Sequence, residues 1–207
     1  GEFKVFSKNI NKKLKWSSIH FITGAILLCL LGLFIINVWF DNGRYLLTDL
    51  FGLAVIILSL DLILGPLLSL WLLSPIKSFK ENAINISVIL LLQFSSLGYG
   101  VLQIDSQRLA YIIKWQGSFF AVTKGDSRKG NNQEQFYTFK EPAIGSELRA
   151  NYESLIKRAV SPIEMFEFFE KSSFEKECGT ICGVITKKGI VNVTKENKEL
   201  AFNKSLH

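Results

Sequence analysis

The chain has 207 residues, 48% of them apolar, and a formal net charge of +6. That length is a prior of one or two domains, and the positive mean hydropathy is high for a soluble protein. The basic balance does not point to nucleic acid: no C2H2, RNP or helix-turn-helix signature occurs, and the N-terminal lysines flank an apolar segment, where topology accounts for them.

Apolar residues concentrate before residue 105 and most charges follow it, so the expected architecture is an α-helical membrane part and then a small α+β domain. Residues 1–18 form a basic N-terminus, and Gly1-Glu2-Phe3 reads as a cloning remnant. The first span is expected over residues 19–40, which makes about 33 Å of helix, enough to cross a bilayer. Trp16 and Trp39 bracket it as interface aromatics do, and Cys29 inside it reads as a packing residue. It is too long for a signal-peptide core, and no small-residue cleavage site follows.

The second span is expected over residues 47–73 and contains LSLDLILGPLLSLWLLS. Asp61 sits near its centre. A carboxylate in lipid is costly and marks a functional site by default. The plainer reading is a protonated or hydrogen-bonded Asp61 that locks this span to the next through Gln93 or Tyr99. Gly65-Pro66 reads as a kink, which either shapes the bundle or opens a lateral groove for a guest helix.

The third span is expected over residues 83–104. It carries Asn85, Gln93 and Tyr99, with Gly98 and Gly100 thinning the helix for close approach by a neighbour. Gln93 and Tyr99 read as interhelical glue. Lys4, Lys8, Lys12, Lys13 and Lys15 precede the first span, and Lys77 and Lys80 lie between the second and third, whereas DNGRYLLTD between the first and second holds one Arg and two Asp. The positive-inside rule then makes the N-terminus cytoplasmic and residues 106–207 external, in the periplasm of a Gram-negative cell.

In the external part, 111–115 and 118–123 read as a hairpin about Gln116-Gly117, followed by a polar loop over 124–134 and a short strand over 135–140. An amphipathic helix is expected over 146–160 with Ser146 as N-cap, then a second helix from Pro162 whose phenylalanines 166, 168 and 169 nearly encircle it. Residues 182–186 and 190–194 alternate as strands, and 200–202 add a short piece. Cys178 and Cys182 are a candidate disulfide if this part faces an oxidising compartment; their spacing is one residue too long for a redox C-x-x-C pair. With His20 and His207 far apart in sequence, no metal site and no cofactor are expected.

The run DLILGPLLSL at 61–70, a lysine-bearing turn, and ISVILLLQFSSLGYG at 86–100 together resemble the TfpX/TfpZ family of type IV pilin accessory proteins. The resemblance covers residues 12 to 125. Leu109 stands where the family often has proline after Arg108, and Asn85 where it often has aspartate. Membership implies an inner-membrane protein that binds the major type IV pilin and assists or modulates its stability or assembly, with no enzymatic activity. Asp61, Gly65, Pro66, Gln93, Tyr99 and Gly100 are then the candidate partner-binding residues, facing the pilin membrane helix or the bilayer. The alternative class is a membrane immunity protein that shields the cell from a toxin. An enzyme using Asp61 as acid or base lacks a second catalytic group: no H-E-x-x-H, G-x-S-x-G or P-loop motif occurs.

Overall fold

The computed structural model describes residues 2–127, 135–196 and 199–204, with side chains from Asn9 onward. It divides into a helical unit, Gly1–Val38 with Phe51–Ile104, and a sheet unit, Trp39–Leu50 with Asp105–His207.

Three helices make the first unit: α1 (Glu2–Phe34), extended by a π turn over Ile35–Trp39, α2 (Leu50–Leu72) and α3 (Phe79–Ser106). All three are long and apolar enough to cross a membrane. The architecture is therefore three transmembrane helices followed by an α+β domain. The helix limits differ from those expected, for local reasons. No Gly or Pro interrupts residues 4–19, so α1 continues back through the lysines. The helix α3 starts earlier because Ser78 and Glu81 form a capping box, with Ser78 N–H donating to Glu81 Oε2 at 2.9 Å and Glu81 N–H to Ser78 Oγ at 3.3 Å.

The sheet unit is built on seven strands in the order β4-β3-β1-β2-β5-β6-β7. These are β1 (Leu109–Trp115), β2 (Ser118–Thr123), β3 (Phe136–Phe139), β4 (Phe169–Ser172), β5 (Ile181–Thr186), β6 (Gly189–Glu196) and β7 (Glu199–Lys204). The pairs β1–β3 and β2–β5 are parallel and the rest antiparallel. The interior strand β1 reads LAYIIKW and is buried on both faces, as a near-continuous apolar run requires. Ile112, Phe136, Val184 and Phe202 belong to the core on one side; Tyr111, Ile113, Met165 and Phe166 belong to the other. The β1–β2 turn sits on Gln116 and Gly117, both at positive φ, which matches the twist of a two-residue hairpin.

The helix α4 (Glu147–Lys157) is capped by Ser146, whose Oγ accepts from Arg149 N–H at 3.2 Å. The second α-helix expected from Pro162 is not formed. A 3-10 helix, Pro162–Phe168, gives way to β4, which pairs antiparallel with β3 and sets Phe169 opposite Phe139. The phenylalanines that would encircle one helix are instead shared between a tight turn and a strand, and all three are buried. Of the polar loop expected over 124–134, residues 128–134 lie outside the described residues.

Residues 39–50, of which 41–46 are expected as a connection and the rest as ends of the first and second spans, are part of the sheet unit. Leu47 is buried in its core, which is why α2 begins only at Leu50. Phe202 N–H donates to Asn42 O at 2.8 Å, and Asn42 Nδ2 to Glu199 Oε2 at 2.8 Å. Gly43 has φ of 80°, and a Cβ there would strike the Phe202 carbonyl, so the left-handed turn and the close approach both require glycine. Cys178 and Cys182 are bonded, with Cα atoms 5.3 Å apart, and join the end of α5 (Phe174–Glu177) to β5.

Glu177 anchors α5 to the sheet. Burial raises its pKa, but hydrogen bonds from Ser172 Oγ at 2.6 Å and Lys114 Nζ at 2.9 Å, with the lysine charge, outweigh this and hold the carboxyl down to about 2, against an ordinary 4.5. The ionised form is the one the fold favours. Its contribution is complete above pH 4.5 and is lost as pH falls through about 2. Glu177→Gln is expected to lower stability at neutral pH by roughly 3 kcal/mol and to flatten the acid limb of the sheet unit's unfolding. Thermal melts between pH 5 and pH 2 in detergent check this, and an acid limb as steep as the parent's would contradict it.

Candidate functional site

The polar residues inside the helical unit decide how its helices meet. Lys13 Nζ lies 3.5 Å from Leu70 O, and Ser17 Oγ donates to Pro66 O at 3.1 Å. These contacts step one turn along α1 and one turn back along α2, the signature of antiparallel neighbours. On the other side, Asn82 Nδ2 donates to Ser74 O at 2.8 Å and Asn85 Nδ2 to Leu72 O at 2.9 Å. A Cβ at Gly65 would strike Gln93 Nε2, and one at Gly100 would strike Ile57 Cγ2. The helices α2 and α3 are therefore also antiparallel, and two glycines permit their close approach. The role of Asn85 is to cap the last carbonyls of α2.

At the centre, all three helices are tied through His20. Its Nδ1 lies 2.7 Å from Ser69 Oγ and its Nε2 2.9 Å from Gln93 Oε1. A neutral ring protonated on Nε2 donates to Gln93 and accepts from the Ser69 hydroxyl. A protonated ring is satisfied as well, because Ser69 Oγ can turn to accept. The knot thus holds in either charge state of the imidazole. Ser69 is only 2% exposed, and its hydroxyl is engaged by the His20 ring.

Beside the knot, a groove of about 960 Å³ runs between α1 and α3 over a floor contributed by α2. Its walls are mainly apolar, with Ile19, Leu27, Leu90 and Leu97 among them. His20, Ser69, Gln93 and Asp61 face it. Asp61 makes no hydrogen bond or ion pair among the described residues and shares the groove with the His20 ring. Volume, apolar lining and a few convergent polar groups are the marks of a binding site.

The sequence-derived candidates separate on this geometry. Asp61 and Gln93 line the groove, Gly65 packs against Gln93 and His20, the Pro66 carbonyl accepts from Ser17, and Gly100 is a packing contact against Ile57. The Gln93 carbonyl oxygen goes to His20 and not to Asp61. Tyr99 is 65% exposed, away from the knot. His20, Ser17 and Ser69 were missed. The available signal was a titratable residue at the start of the first span, with Ser17 three residues earlier on the same face.

No metal cluster occurs among the described residues. The groove offers apolar surface, one carboxylate and one imidazole, which suits an amphipathic helix or a lipid. Gly65→Ala is expected to push the Gln93 amide off His20 and to destabilise the helical unit by about 1–2 kcal/mol. Unfolding of the purified protein in mixed micelles, followed by tryptophan fluorescence, checks this. Stability equal to the parent would show that the knot does not depend on the glycine.

No family model and no solved structure matches the chain. Three relatives from Dichelobacter nodosus do. The fimbrial assembly protein of serogroups C1 and C2 is 32% identical over 112 residues, covering 54% of this chain and 86% of the relative. The fimbrial assembly proteins of serogroup I and serogroup E1 are each 31% identical over the same length, but this chain spans only 44% of either. The match to the first spans nearly its whole length, and the chain therefore belongs to the family of the fimbrial assembly proteins.

Proposed function

We propose that the protein is a membrane accessory factor of type IV pilus assembly, of the TfpX/TfpZ kind, that binds the major pilin and modulates its stability or its entry into the pilus. The observation that carries this reading is the open groove between α1 and α3 with Asp61 and His20 on its wall. A pilin waiting in the bilayer presents a membrane helix. An apolar groove with a few polar groups gives such a helix a depth and an orientation. The names of the relatives support the pathway, and the bilayer is the medium in which the encounter takes place.

The sheet unit supplies the second half of the reading. Residues 39–50 and the C-terminal strands belong to one unit, and this reading puts that unit on the side of the membrane opposite the lysine-rich N-terminus. Lysine placement argues that the N-terminus is cytoplasmic and the sheet unit periplasmic. The Cys178–Cys182 bond suits that oxidising compartment. There the sheet unit meets the pilin head domain. Our reading is of a binding site, with the hydroxyl–imidazole pair of Ser69 and His20 holding helices together. The immunity-protein alternative draws no support from relatives named for fimbrial assembly.

Asp61→Ala removes a side chain with no hydrogen bond among the described residues, so the bundle should persist. Pilin recovered with the protein from membranes is expected to fall about 5- to 10-fold, a coupling of about 1 kcal/mol. Tyr99→Ala, on the exposed surface, should leave recovery unchanged. Equal recovery with Asp61→Ala would remove the groove from the mechanism.

A further inference from the structure

The groove has a charged end as well as a polar middle. Lys12 and Lys77 both line it, one from α1 and one from the turn between α2 and α3. Lys12 has no hydrogen bond or ion pair among the described residues. Lys77 gives one of its three protons to Leu72 O at 2.9 Å. Glu81, the nearest acid in sequence, does not line the groove and is held by Ser78 N–H. Two ammonium groups thus line the mouth; the Glu81 carboxylate feels the Lys77 charge from outside the groove, and Lys12 has no such partner among the described residues.

Along the helix, His20 lies about 12 Å further in than Lys12, and the wall between and beyond is apolar. Trp16 stands beside the mouth, at the level where interfacial aromatics meet headgroups. Gly24 lies on the groove wall, and a Cβ there would meet nothing within 4 Å, so the space in front of it is open. A cavity of about 960 Å³ is near the upper end of the usual range for ligand pockets, about 300–1,000 Å³.

We propose that this groove holds an anionic phospholipid, with its phosphate between Lys12 and Lys77 and an acyl chain along Ile19, Leu27 and Leu90. Charge complementarity selects the headgroup: a zwitterionic lipid brings its own cation to a mouth that already has two. The lipid keeps the groove dry and filled until a protein helix displaces it. The inference stands apart from the pilin reading, since a resident lipid is present whether or not a pilin follows.

Native mass spectrometry of the full chain, released from mild detergent after exposure to phosphatidylglycerol or phosphatidylcholine with the same acyl chains, tests it. The parent should retain phosphatidylglycerol preferentially, and Lys12→Gln with Lys77→Gln should cost about 10- to 30-fold in that retention. Gly24→Leu, which fills open space, should lose both lipids while the protein stays folded. Equal retention of the two lipids by the parent, no retained lipid, a co-purifying peptide in the lipid's place, or a preference that survives the double lysine substitution would each overturn the proposal. Pilin recovery measured on the same variants is a separate readout and fails or succeeds independently.

Discussion

Hydrocarbon offers no water to satisfy a polar side chain, so a polar group placed in a membrane helix must find its partner on another helix. That constraint organises the helical unit. One imidazole takes a hydroxyl from α2 and an amide oxygen from α3, so a single ring binds all three helices. Gly65 is needed because the amide must pass close to the α2 backbone to reach the ring. The serine and asparagine contacts at 17, 82 and 85 set the register on either side. With these groups paired, Asp61 is left on the groove wall. It is the one acidic side chain there that the bundle has not consumed.

The sheet unit solves a different problem. Its interior strand β1 is apolar on both faces, so both faces need cover. One is covered by α4 and the turn from Pro162, through Met165, Phe166 and Tyr152. The other draws in α5 and the 39–50 connection, through Phe174 and Leu47. Using the connection between two spans as part of a core fixes a loop that would otherwise be free. Asp105 marks the start of the C-terminal part of this unit. Lys124 reaches it at 2.8 Å and Arg108 at 3.2 Å, while Arg108 also lies 5.3 Å from the centre of the Trp39 ring. Both strands of chain entering the unit, at Trp39 and at Asp105, are thereby tied together.

Where one local signal decides the outcome, the sequence was readable. Three long apolar runs could only be membrane helices. Ser146 before an amphipathic stretch, and Gln116-Gly117 between apolar strands, carried their own geometry. Where the outcome depends on contacts distant in the chain, the reading ran out. Nothing local to Leu46-Leu47 says that they enter the core of a sheet formed by residues beyond 105. The stretch after Pro162 is apolar enough for a buried helix, and only its pairing with β3 makes it a strand. The parallel pairs β1–β3 and β2–β5 are likewise invisible to periodicity. At the site, Asp61 and Gln93 were legible as costly residues in lipid, but the expected partner of Asp61 was Gln93 or Tyr99. His20 took Gln93 instead, because Gly65 lets that amide cross to α1.

The central claim is that the α1–α3 groove is the surface that receives the pilin. A photo-crosslinking phenylalanine analogue placed at Leu90, on the groove wall, and separately at Tyr99, on the exposed surface, tests it in intact cells. The account predicts a pilin adduct from position 90 and none from 99. An adduct from 99 alone, or none from either position while pilin still co-purifies, would contradict it.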